Sequence, residues 1–232
     1  MRYLQNSFNA NSKTVFALAV LLLSSLIISF AYGHPVDENK SRDQLWKEVE
    51  QAQSQRLPKT EMELLQRIYD SAVAEEAFPE AARALFQKIH VESRINQPAI
   101  PFAIKKLQAE IESVPVSLKP ITDAVLANWM YAYFQNNRWR FQQRSQTSTT
   151  VSDDIETWDL RRILQAIDQS FTDALANADE LKKIPVAEYD QLTQGGNPEG
   201  DHRRPTAFDF IAHQAISSVS YTHLTLPTIY SV

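Results

Sequence analysis

Residues 58–95 read PKTEMELLQRIYDSAVAEEAFPEAARALFQKIHVESRI, and this stretch decides the fold. In its first half Leu64, Leu65, Ile68, Tyr69, Ala72 and Val73 recur at steps of one, three and four, tracing one apolar stripe along a helix. Thr60 is placed to cap this helix, and Glu63, three residues on, completes a capping box. Pro79 stands where a helix-opening proline belongs. Ala82, Leu85, Phe86 and Ile89 then repeat the stripe, with Ala82 and Phe86 setting a small residue beside a large one. Two such helices joined by a short turn make an αα-hairpin with tetratricopeptide-like packing. No second copy follows at the same period, so a repeat array is not expected.

The same pattern extends in both directions. Upstream, DQLWKEVEQAQSQ places Leu45, Trp46 and Val49 on one side of a helix that Ser41 or Asp43 can cap, and Pro58 stops it from running on. Downstream, PFAIKKLQAEIESV reads as a shorter helix from Pro101. One long helix is expected from near Pro120 through ITDAVLANWMYAYFQNNRWRFQQRSQ. Leu126, Trp129, Met130, Tyr133 and Phe134 keep helical spacing there and read as core, with Arg138, Arg140 and Arg144 snorkelling at its edge. The polar run from Gln146 to Asp154 reads as a loop, in which the adjacent Asp153 and Asp154 mark a solvated helix start. A helix resumes at TWDLRRILQAIDQSFTDALANADELKKI, with Thr157 as a plausible cap and Pro185 as the stop. Its buried side is Leu160, Ile163, Leu164, Ile167, Phe171 and Leu175. Residues 194–204 collect three of the four glycines as a loop, and a last helix starts at Pro205. The fold class expected is all-α, built from antiparallel helical hairpins.

Composition narrows the function. The chain of 232 residues is 44% hydrophobic and 22% charged, with a net charge of −5. That balance argues against a nucleic-acid partner, even though aromatics and arginines mingle near residue 139. Four glycines and no GxGxxG or Walker string leave no phosphate-cradling loop, so no cofactor is expected. The absence of cysteine excludes disulfides and thiolate metal sites.

The N-terminus reads as an export signal. Arg2 and Lys13 precede an apolar run from Val15 to Phe30, shorter than the roughly 20 residues of a bilayer span. Ala31 and Gly33 supply the small residues of a cleavage site that would leave His34 as the new N-terminus. An uncleaved anchor is the alternative, and it would be the chain's only membrane contact. An amino-terminal His34 could chelate copper if a second histidine closed the site. His90, His202 and His213 are scattered through the sequence, so no metal site is expected. Asp209 and His213, four apart on one helix face, form a polar pair that could serve acid/base chemistry. Neither HExxH nor GxSxG accompanies them, and a surface or inter-helix hydrogen bond is the expected role. Catalytic residues are therefore not assigned. Trp46, Trp129, Tyr133, Trp139 and Trp158 are the candidates for docking or helix packing.

Five strings occur in order: LWKEVEQAQSQRLPKTEMELLQRIY, ANWMYAYFQNNRWRF, DIETWDLRRI, LKKIPVAEYDQLT and RRPTAFDFIAHQAI. Together they resemble the N-terminal region of large exported bacterial α-2-macroglobulin-like proteins, over most of residues 43–216. The resemblance implies a protease inhibitor whose trapping activity resides in downstream β-sandwich macroglobulin domains. Those domains and, through them, proteases would be its partners. Its thioester, formed between a Cys and a Gln, has no counterpart in a chain without cysteine. The implied role here is a leading helical docking segment of a periplasmic or cell-envelope protein. The family supplies no catalytic residue to transfer. A stand-alone periplasmic binding module is the first alternative, and a helical hydrolase or metal enzyme using Asp209 and His213 the second.

The last fourteen residues differ from all that precede them. From Val219 to Val232 no Asp, Glu, Lys or Arg occurs, and β-branched residues crowd together. VSYTHLTLPT, from Val219 to Thr228, corresponds to one reading frame of a transposon-end adapter used in sequencing libraries. A non-native tail is therefore expected, with the native chain interrupted after about Ser218. The expected organisation is a signal segment at 1–33, a helical-hairpin region at 34–145 and a polar loop at 146–157. A helical part of the same domain at 158–218 and the tail at 219–232 complete it.

Overall fold

The computed structural model describes residues 40–143, 154–193 and 203–223. The expected signal segment with Ala31, Gly33 and His34, the expected loop at Asp153, the glycine-bearing stretch with His202 and the residues beyond His223 lie outside these residues.

The expected all-α class holds: among the described residues every regular element is helical. The elements are α1 (Arg42–Ser54), α2 (Pro58–Ala74), α3 (Phe78–Ile95), α4 (Ala99–Ile111), α5 (Lys119–Asn136) and α6 (Arg138–Gln143). A 3-10 turn at Ile155–Thr157 leads into α7 (Leu160–Leu175) and α8 (Ala178–Leu181). A second 3-10 turn at Val186–Tyr189 continues into α9 (Asp190–Thr193), and α10 (Ala207–His223) is the last helix. No helix among the described residues is long and apolar enough to cross a membrane.

Two matching turns set the first three helices. The Leu57 N–H donates to the Ala52 carbonyl and the Arg56 N–H to that of Gln53, while Ala77 and Glu76 repeat the pattern on Ala72 and Val73. These are Schellman closures, and each needs one residue in the left-handed region. Arg56 and Glu76 both sit there at φ 57°. Closing α1 this way brings Pro58 directly to the first turn of α2, where its missing N–H costs nothing. Thr60 consequently lies inside the helix, and the capping box expected with Glu63 does not form.

Contacts across the helices show their directions. Glu61, early in α2, meets Arg94, late in α3, while Gln66 meets Lys88 farther along. The two helices are therefore antiparallel. Lys106 beside Glu92 and Glu110 beside Lys88 show the same for α3 and α4. A small apolar cluster of Leu45, Val49, Ala52, Leu64, Leu65 and Ile68, with Ala84 and Val91, joins α1 to the hairpin. A larger one runs from α2 through α7 to Ala207 and Ile211 of α10. At its centre α5 is buried nearly all round, from Pro120 and Ile121 to Tyr133 and Phe134, as a helix walled in by neighbours must be.

The long helix expected beyond Pro120 breaks at Asn137. Its N–H reaches the Tyr133 and Phe134 carbonyls and its side-chain Nδ2 donates to Tyr133 O at 2.8 Å, satisfying the helix end locally. The chain restarts as α6, which turns Phe141 inward against Tyr133 and Phe134. Trp139, on the same short helix, is 71% exposed and packs against no helix core.

The start of α7 is capped by Asp159, whose Oδ1 accepts the Arg162 N–H at 2.8 Å. Thr157, expected there, instead belongs to the preceding turn and donates to Asp154 O. Of the stripe expected on α7, Ile163, Ile167 and Phe171 are buried, while Leu160, Leu164 and Leu175 pack partly covered around them. An antiparallel bridge between Pro185 and Thr206 positions α10. Its first turn carries a reciprocal cap: Thr206 donates to Asp209 Oδ2, and the Asp209 N–H donates to Thr206 Oγ1. The backbone helix continues through Ser218 to His223 without a break.

Candidate functional site

Because successive helices reverse direction, alternate ones share a face. Helices α1, α3 and α5 present theirs to a cleft of about 1220 Å³, closed on the far side by the Val186–Tyr189 turn, α9 and α10. Trp46, Arg83, His90, Asn128, Trp129 and Gln214 represent its walls. A volume above the roughly 300–1,000 Å³ of clefts that enclose small ligands suits a segment of chain.

The cleft's aromatic floor is held from behind. Trp129 meets Phe86 edge-to-face at 6.1 Å between centroids. The Trp46 Nε1–H donates to Glu80 Oε1 at 2.7 Å, and Arg42 Nε donates to Glu80 Oε2 at 2.7 Å. Arg42 also pairs with Glu75 at 2.7 Å, so one guanidinium ties α1 to both α2 and α3. The hydrogen bond that Arg42 donates to Glu75 raises it above the usual arginine range. On the open face of Trp46 lies the Arg83 guanidinium, its Cζ 3.8 Å from the ring centroid. Burial lowers Arg83 against the pull of Glu80 and Glu50. Across the cleft the Asn128 amide donates to Gln214 Oε1 at 2.7 Å, fastening α10 to α5. Burial, with a smaller contribution from Glu188, pushes the Tyr189 phenol up to about 12, so this wall stays neutral.

The residues singled out in the sequence fall in different places. Trp46 and Trp129 line the cleft. Tyr133 is buried core against Phe141, and Trp158 is buried with Arg162 stacked 4.6 Å away. Trp139 stands in solvent. Asp209 and His213 are not brought together: the Asp209 carboxylate is engaged by Thr206, and His213 is exposed. No cluster of three or more potential metal ligands occurs among the described residues. Sequence reasoning did not single out Arg83. Its position one turn before Gln87 was visible, but its stacking partner lies on another helix.

Two buried carboxylates lie away from the cleft, Glu61 and Asp123. Burial raises Asp123 above the ordinary aspartate range, although Lys119 Nζ lies 3.4 Å from it. With the folded pKa above the unfolded one, ionised Asp123 costs stability at neutral pH. That cost is relieved as pH falls through the raised pKa. Asp123→Asn is therefore expected to raise Tm at neutral pH, with the gain shrinking to nothing by about pH 3.5. Thermal melts at both pH values check this, and a lower Tm for the variant at neutral pH would refute it.

Among the described residues the geometry is an all-α helical arrangement with a concave face. No family model matches the chain, and no curated protein or solved structure is found similar to it.

Proposed function

We propose that this chain is a non-catalytic docking scaffold, the leading helical segment of an exported α-2-macroglobulin-like protease inhibitor. Its tetratricopeptide-like hairpins would receive an extended segment of a protein partner in the periplasm or cell envelope. The observation that carries the docking role is the cleft between alternate helices, with an aromatic floor and amide-bearing walls. The inhibitor context is supported by the five ordered sequence strings. The Asp209 cap at Thr206 favours this reading over a hydrolase built on Asp209 and His213, since the carboxylate already holds a helix end.

Two measurements test the proposal. Ala132 lines the cleft from an exposed position, so Ala132→Trp obstructs it without disturbing the core. On an array of random capped peptides, this variant is expected to lose at least about tenfold in capture with Tm unchanged. Equal capture by both proteins removes the cleft from the docking role. The native gene separates the inhibitor from a stand-alone module. An open frame into β-sandwich domains, whose product traps proteases, supports the former. A stop codon soon after codon 218 sinks it.

A further inference from the structure

We infer that the segment taken by the cleft is an acidic peptide, one of whose Asp or Glu side chains docks on Arg83; this rests on the docking reading above. Arg83 is the one lysine or arginine among the described residues that line the cleft. Its guanidinium carbon sits over the Trp46 ring, 3.8 Å from the centroid, and a guanidinium held over a ring can still offer N–H groups to a ligand. Of the two carboxylates that act on Arg83, Glu80 is already occupied on both oxygens. Glu80 Oε1 takes the Trp46 indole and Glu80 Oε2 takes Arg42. Glu50, exposed on α1, also lines the cleft; it acts on Arg83 only through the charge field and forms no ion pair with it. Among the described residues the Arg83 fork therefore has no hydrogen-bond acceptor, although five N–H donors sit in a partly dehydrated wall.

Such an edge matches a carboxylate in two parallel hydrogen bonds, and the stack holds it in place before binding. The surrounding groups fit the rest of an extended chain. Gln87 and His90 follow Arg83 along the same face of α3, and Asn128 and Gln214 stand opposite. Asn128 Oδ1 and Gln214 Nε2 remain for a peptide backbone, since the Asn128 amide hydrogens are taken by Ala124 O and Gln214 Oε1, while Trp46 and Trp129 offer apolar surface between them. The unpaired Arg83 fork, rather than the net charge of a lining that also holds Glu50, selects a segment that brings a carboxylate to it.

The test uses the full chain on a random array of peptides capped at both ends, so that every carboxylate is a side chain. Captured peptides are expected to be enriched in Asp and Glu. One captured peptide and its glutamine-for-glutamate counterpart are then compared by fluorescence anisotropy, with the acidic form preferred by about tenfold. In Arg83→Gln the two affinities should converge, and Arg83→Lys, which keeps charge but not the fork, should retain part of the preference. Circular dichroism melts establish that each variant is folded. Capture without acidic enrichment, or a preference that survives in Arg83→Gln, overturns the assignment of Arg83 and leaves the docking scaffold standing. Capture of no peptide at all overturns both.

Discussion

Phe141→Ala is expected to lower unfolding stability by about 3–5 kcal/mol, a large part of the roughly 5–15 kcal/mol that a domain possesses. The ring is fully buried, 6.0 Å edge-on to Tyr133 and 5.8 Å from Phe134. It is also the single buried residue of α6, a six-residue helix far too short to persist without packing. Truncation therefore opens a cavity and releases the element that carries it. Arg140, the preceding residue on the same helix, donates to Glu156 O at 2.7 Å and would lose its anchor as well. Urea titration should show a lower midpoint with an unchanged slope. Trp139→Ala is the control: the larger but exposed ring should change stability by no more than about 0.5 kcal/mol. Equal losses in the two variants would contradict the burial pattern described here.

Arg94→Ala is expected to cost about 2–4 kcal/mol, for an electrostatic reason. Glu61 is 1% exposed, and its Oε2 accepts from Arg94 Nη2 at 3.1 Å. Its other oxygen, Oε1, has no hydrogen-bond partner. Removing Arg94 strands a carboxylate among Leu64, Leu65 and their neighbours. The value stays below the top of the range for buried pairs because water reaches about half of the Arg94 side chain. Substituting both partners, as Glu61→Leu with Arg94→Met, should recover most of the loss or exceed the parent stability. A double-mutant cycle by chemical denaturation measures the coupling. A loss under about 0.5 kcal/mol in Arg94→Ala would show that Glu61 finds solvent or another donor.

The hairpin was readable because local pattern and tertiary environment agree. Leu64, Leu65, Ile68 and Ala72 are spaced for one face, and that face is the one buried. On α5 the spacing carried less information, since nearly every side is covered and periodicity no longer distinguishes inside from outside. Asn137 illustrates a different limit. Nothing in ANWMYAYFQNNRWRF marks one of two adjacent asparagines as a helix end until Phe141 needs to reach Tyr133. Trp139, a candidate for docking or helix packing, is exposed once α6 turns. At Thr60 and Thr157 the caps expected from local rules do not form: α2 already begins at Pro58 after the turn at Arg56, and Asp159 caps α7. The candidate site was only partly legible. Trp46 and Trp129 stood out as large aromatics, whereas Arg83 became notable only once Trp46 lay beneath it.

The sequence by itself determined that this chain is helical, where its first hairpin turns and which faces of α2 and α3 go inward. These properties depend on residues within a few positions of one another, where helical geometry converts spacing directly into direction. The tertiary structure alone decided that α5 would be the enclosed centre, that Asn137 would end it, and that Glu61 would be buried beside Arg94. It also decided that α1, α3, α5 and α10 would surround a cleft, with Arg83 laid on Trp46. Apart from the local closure at Asn137, those outcomes join residues from tens of positions to more than 160 positions apart. They follow from packing volume, charge burial and hydrogen-bond satisfaction between helices, for which no local pattern carries a signal.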